Sequence, residues 1–124
     1  MKAYHLKYRL SMSHSADNKE EHRHTHVLEI EIFVKPHDKD RIFSDFRSIE
    51  IHMNEVLDGF QGKYLNDIEI FGADASLEHT GETIYRLLSD EVERNKWHIC
   101  CLEISETPLR VYIIRDEDFN TRCI

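Results

Sequence analysis

Three histidines stand at alternate positions in the stretch Asn18-Lys-Glu-Glu-His-Arg-His-Thr-His26: His22, His24 and His26. On an extended strand alternate side chains share one face, so this spacing lines up three imidazoles. Three neutral imidazoles converging with one position left open is the ligand set of a catalytic zinc ion. Imidazole also suits nickel, iron and copper. A further histidine, His14, closes the preceding alternating stretch. The plainer reading is a solvated, histidine-rich hairpin end or an expression tag. A tag fits poorly, because the histidines are not consecutive and lie inside a strand-like period.

The elements that must position these residues are legible from periodicity. Tyr4, Leu6, Tyr8, Leu10, Met12 and His14 alternate, which predicts a strand over residues 2–14. Leu28, Ile30, Ile32 and Val34 continue the face of the three histidines, which predicts a second strand over 22–35. An antiparallel pair joined through 15–21 brings His14 beside the histidines of the second strand. Pro36 and His37-Asp38 then break the pattern. Ile42, Phe43, Phe46, Ile49, Met53, Val56 and Leu57 recur at helical spacing, predicting a helix over 39–57 that Gly59 and Gly62 stop. Residues 64–71 form a short ordered connection. Ser76 is a good N-cap for a second helix over 77–95, with the stripe Leu77, Thr80, Ile84, Leu87, Leu88 and Val92. Strands over 97–106 and 109–115 follow, with Pro108 in the turn between them. The order β-β-α-α-β-β, without linker or repeat, predicts one α+β domain over 1–124: a four-stranded antiparallel sheet with two helices on one face.

Composition limits the function classes. The 124 residues suit one domain. Apolar content of 40% and charged content of 32% describe an ordinary soluble protein. A formal net charge of −8 argues against a general nucleic-acid surface. No apolar run is long enough to span a membrane. Residues 1–14 alternate basic and apolar residues, unlike a signal-peptide core. Cys100, Cys101 and Cys123 have no zinc-finger spacing, and read as reduced thiols in a cytoplasmic protein.

In these motifs the chain resembles the 6-pyruvoyltetrahydropterin synthase and 6-carboxytetrahydropterin synthase family, whose tunnelling fold has the same element order. The resemblance covers nearly the whole chain. Met12-Ser-His14 is similar to the family's first zinc histidine, and His24-Thr25-His26 to its His-Gly-His pair, with Thr where Gly is usual. His22-Arg-His24 is the alternative pair. Asp45-Phe46-Arg47 resembles the family's Asp-Phe at the start of helix one, and Tyr64-Leu65-Asn66-Asp67 its Leu-Asn motif between the helices. Ser76-Leu77-Glu78 resembles the Thr-x-Glu entry to helix two, and Glu106-Thr107 the Glu-Thr that ends strand three.

The resemblance implies Zn2+ on His14, His24 and His26, and a pterin ring held by Glu106. A carboxylate suits that role because it can accept two charge-assisted hydrogen bonds from the ring's N–H edge. It further implies a homo-oligomer, trimer or hexamer, with the ligand pocket between subunits. The small-molecule substrate would be 7,8-dihydroneopterin triphosphate; Arg9, Arg23 and Lys63 are candidates for its phosphates.

Two departures bear on activity. The family's usual nucleophile or base is a cysteine four or five residues before the His-Gly-His pair, where this chain has Glu20 and Lys19. One branch uses glutamate near this position, so Glu20 or Glu21 is the expected base. Before the Leu-Asn motif the family has an Asp-His proton relay, and this chain has Gln61-Gly62. Gln is no acid or base at neutral pH. His52, His79 and Asp58 are possible substitutes. Two readings follow: a metal-dependent pterin synthase or lyase, or a paralogue that binds a pterin-like or purine-like ring without the synthase step.

Overall fold

The computed structural model describes residues 2–38, 43–72 and 74–116, and the side chains of Phe43 and Ser44 are outside that description. Cys123, Ile42 and the expected first turn of helix one lie outside the described residues.

Strands β1 (Tyr4–His14) and β2 (His24–Pro36) pair antiparallel. Helices α1 (Phe43–Asp58) and α2 (Leu77–Glu93) follow, then β3 (Trp97–Thr107) and β4 (Arg110–Arg115). The sheet order is β1-β2-β3-β4, with every pair antiparallel. The element order and the sheet are those expected from periodicity, with ends moved by a few residues.

The alternation places Leu10, Leu28, Ile30, Ile32 and Val34 on the helix-facing side, each fully buried. Burial of one such side chain contributes roughly 1.5–3 kcal/mol, so this stripe fixes the register: a one-residue slip would turn it to solvent. Helix α1 adds Phe46, Ile49, Met53 and Leu57, and α2 adds Ile84, Leu88 and Val92. Gly81 lets α2 approach β3 closely; a Cβ there would lie 2.9 Å from Ile104 Cγ2. The core thus joins both helices to one face of the sheet, and the histidines stand at one end of that interface.

The other end of the sheet is tied by a relay of charged groups. His37 Nε2 lies 2.8 Å from Glu93 Oε2, and His98 Nδ1 2.8 Å from Glu93 Oε1. His98 Nε2 lies 2.5 Å from Asp116 Oδ2. Both partners of His98 are acceptors, so both of its ring nitrogens donate and the ring is an imidazolium. Burial is the largest single influence and opposes that charge, but the bonds to Glu93 and Asp116 together outweigh it and raise the pKa above 6.5. A raised pKa stabilises the fold fully below the unfolded value and is lost as pH rises through the folded value. Burial also opposes the Glu93 charge, yet His98 and His37 hold its pKa below the usual value of 4.5. That contribution is lost only as pH falls through the lowered value. The parent is therefore expected to lose more thermal stability than His98→Gln as pH rises from about 6 to 8, by a few degrees, in melts followed by circular dichroism. Equal pH slopes would show that His98 is not the charged link.

Candidate metal centre

His14 is the last residue of β1 and His24 the first of β2, and they pair directly across the ladder. His26 pairs with Met12. All three side chains lie on the helix-facing side of the sheet, continuing the buried stripe. Their rings pack edge to face, with centroids 4.5 Å apart for His14 and His24, 4.4 Å for His24 and His26, and 5.6 Å for His14 and His26. Glu106, near the end of β3, joins them. Donor atoms of His14, His24, His26 and Glu106 all lie within 4.8 Å of one another. Among the described residues this is the one cluster that could hold a metal ion.

His22 is a correction to the sequence reading. The chain turns at Asn18, whose φ of 59° is left-handed, and Glu20–His22 form a 3-10 turn. The strand therefore starts at His24, and His22 Nδ1 instead lies 2.5 Å from Asp17 Oδ2 in an exposed pair. Alternation alone missed this because a 3-10 turn can precede a strand without disturbing the apolar period that follows. The His22–His24 pairing is excluded as the ligand pair within a strand. His22 still contributes its carbonyl, which accepts a 3.1 Å hydrogen bond from His24 Nδ1.

That bond and its counterpart set the tautomers. His14 Nδ1–H donates to the Ala75 carbonyl at 2.6 Å. Carbonyls only accept, so both Nδ1 atoms carry hydrogen and both Nε2 atoms present lone pairs. A ligating histidine is commonly oriented by such a bond from its other nitrogen. Burial is the main cause that lowers the His14 pKa below 6.5; the fields of His24 and His26 act the same way, against Glu106 and Ala75. His14 is 2% exposed, neutral at pH 7, and its Nε2 makes no hydrogen bond. A buried lone pair grouped with two other imidazoles and a carboxylate fits a metal ion.

The connection between the helices braces this end of the sheet. Leu65 is buried, and Asn66 grips the residue after His14. Ser15 N–H donates to Asn66 Oδ1 and Asn66 Nδ2 donates to Ser15 O, both at 2.8 Å. This gives the Leu-Asn motif a physical role: it fixes where β1 ends. Ser76 caps α2, accepting from His79 N–H at 3.3 Å, and the capped turn holds the Ala75 carbonyl against His14.

Gln61, at the place of the expected relay, acts as a brace. Its Oε1 accepts from Ser11 N–H at 2.9 Å, and its Nε2 donates to Arg9 O at 2.8 Å and to Tyr8 Oη at 3.0 Å. Gly62, with φ of 72°, donates to Ser11 O at 2.6 Å, and Ser13 N–H donates to Lys63 O at 3.0 Å. Strand β1 is an edge of the sheet, and this segment covers it at its His14 end. Gln61→Ala leaves edge groups without protein partners, so a loss of about 1–2 kcal/mol is expected in urea melts; an unchanged midpoint would contradict the bracing role.

The other sequence candidates do not enter the cluster. Glu20 and Glu21 sit exposed on the 3-10 turn, and Glu20 Oε1 lies 3.6 Å from Arg23 Nη1. Arg23 stacks 4.3 Å over the Tyr64 ring and donates to Ser13 Oγ at 3.2 Å. Arg9 pairs with Glu29 at 3.5 Å. Asp58 accepts a hydrogen bond from Tyr8 Oη. His52 Nδ1 lies 3.9 Å from Glu91 between the helices, and His79 is in the first turn of α2. Asp45 lines a groove of about 330 Å³ with Trp97 and Lys96 at the opposite end of the sheet. The link between Glu106 and the histidines was not legible: the family pattern suggests a ring anchor, and only the β2–β3 register brings its carboxylate beside them.

A model of the family described as 6-pyruvoyl tetrahydropterin synthase matches residues 3–117. No curated protein sequence matches the chain. Among solved structures, 6-pyruvoyl tetrahydropterin synthase of Caenorhabditis elegans superposes with a TM-score of 0.76 at 16% identity, covering 94% of this chain and 96% of that one. An uncharacterized protein of Wolinella succinogenes gives 0.65 at 10% identity, covering 94% and 98%. The 6-pyruvoyl tetrahydropterin synthase of Plasmodium falciparum gives 0.57 at 13% identity, covering 92% and 98%.

Proposed function

Because the chain belongs to the 6-pyruvoyl tetrahydropterin synthase family, we propose that it is a zinc-dependent pterin synthase or lyase acting on 7,8-dihydroneopterin triphosphate. The observation that carries this reading is the convergence of His14, His24 and His26, with two of the three rings oriented through Nδ1 by backbone carbonyls. Zinc bound there would polarise the hydroxyls of the substrate side chain and stabilise developing oxyanion charge. Glu106 accepts hydrogen bonds from the N–H edge of the ring. Glu20 is the candidate base, with Glu21 as the alternative. Incubation of the zinc-loaded protein with the triphosphate, followed by separation of the pterin products, tests the reading; zinc-dependent loss of the substrate side chain or of triphosphate is expected.

One observation favours a second reading, a pterin-binding relative without turnover. Gln61 holds the relay position and its side chain is fully engaged by β1. Zinc-dependent ring binding with no product would select that reading.

The same reading makes the protein a trimer or hexamer. Strand β4 is an edge of the sheet, and Val111 and Ile113 are exposed on it, with Leu109 beside it 91% exposed. Exposed edges with apolar side chains invite pairing. Light scattering at micromolar concentration is expected to give three or six chains; a stable monomer would overturn the assembly.

A further inference from the structure

The geometry points to Glu106 as a fourth ligand of the metal, one that leaves it when a ring arrives. This rests on the metal and ring sites proposed above and assigns a further role to the same carboxylate.

The site holds an unsatisfied contact. Glu106 Oε1 lies 2.8 Å from His14 Nε2, and Oε2 lies 3.4 Å from His26 Nε2. The Ala75 carbonyl fixes the His14 hydrogen on Nδ1, and Nε2 has no hydrogen-bond partner although Glu106 stands 2.8 Å away. A lone pair and a carboxylate oxygen therefore face each other, with no hydrogen bond between them. Two acceptors at that separation repel unless a cation lies between them. The carboxylate is 23% exposed, so water does not fully solvate it. Three imidazoles and one carboxylate satisfy zinc's preference for four nitrogen or oxygen ligands, and a four-ligand site is closed.

Glu106 is also the group expected to hold the pterin ring. A carboxylate turned to the metal has its lone pairs engaged there and cannot give both oxygens to the ring. Ring binding therefore exchanges ligands: the Glu106–metal bond breaks, its oxygens accept the ring N–H groups, and a substrate hydroxyl or water takes the vacated position. No electrons are transferred in this exchange. The site opens to substrate oxygen only when the ring is seated, which makes recognition of the ring a condition for activation of its side chain.

The test loads the full-length protein with Co2+, whose visible bands report coordination, and titrates it with biopterin. Affinity is measured by chelator competition for the parent and for Glu106→Gln. The expected result is at least a tenfold loss of metal affinity in Glu106→Gln, and a change in the visible bands when biopterin binds the parent. Unchanged affinity and unchanged bands in Glu106→Gln would overturn the ligand role while leaving the histidine site standing. A parent that binds no metal would overturn both. A metal effect without any biopterin effect would support the ligand role and overturn the exchange. A zinc-loaded crystal structure of the parent, free of pterin, is independent of any folding defect in the variant. It should place a Glu106 oxygen at about 2.0–2.2 Å from zinc; a water there, with Glu106 turned away, would overturn the inference.

Discussion

His24→Ala and His26→Ala are each expected to lose nearly all bound metal, while His22→Ala keeps it. Apparent zinc binding in four-ligand sites is worth about 10–16 kcal/mol. An equal share per ligand is therefore roughly 3 kcal/mol, or more than about a hundredfold in affinity. His24 and His26 are the clean substitutions. His24 is exposed and His26 only partly buried, so their removal leaves the core intact. His14 is buried against Ala75 and Glu106, and alanine there would also open a cavity. His22 serves as the control, because it contributes only a backbone carbonyl that substitution leaves in place. Metal analysis of the dialysed proteins, with circular dichroism to show that each is folded, gives the result. About one ion per chain in the parent and none in the two variants is expected. Equal metal in all three would move the site away from these histidines.

Glu20→Gln carries the second large effect. Loss of one positioned general base typically slows a reaction about 10²–10⁴-fold, and Gln keeps the shape while removing the basicity. Glu20 lies on the turn that leads into the ligand strand, with its carboxylate toward Arg23. A base must come within hydrogen-bond reach of the proton it takes, so the turn must rearrange, or assembly must carry it to a neighbouring site. The measurement is the zinc-dependent rate of side-chain cleavage in the parent, Glu20→Gln and Glu21→Gln. A fall in one variant identifies the base. Equal rates in all three would move the role to His79 before Asp58 or His52. His79 lies in the turn of α2 that Ser76 caps beside Ala75, whereas Asp58 is engaged by Tyr8 and His52 faces Glu91.

The fold was legible because β1 and β2 carry their apolar side chains at a period of two and the helices a clear stripe. Leu28, Ile30, Ile32 and Val34 could satisfy only one register. His14, His24 and His26 were legible for the same reason, since they continue the stripes at the end where the two strands meet. What periodicity could not supply is what side chains do across the ladder and between segments. The left-handed turn at Asn18 took His22 out of the strand. Gln61 reads as a lost relay until its bonds to Arg9 and Ser11 appear. The role of Asn66 depends on Ser15, far from it in sequence. Glu106 reads as a ring anchor, and only the fold brings it against His14 and His26.

Calorimetric titration of biopterin into the zinc-loaded protein, and into the same protein stripped of metal by a chelator, asks whether ring binding depends on the metal at these histidines. One ring per chain should bind the loaded protein, with an affinity that differs at least tenfold on stripping and in His24→Ala. Equal binding with and without zinc, or no binding to the loaded protein, would contradict a metal-dependent pterin site at these histidines.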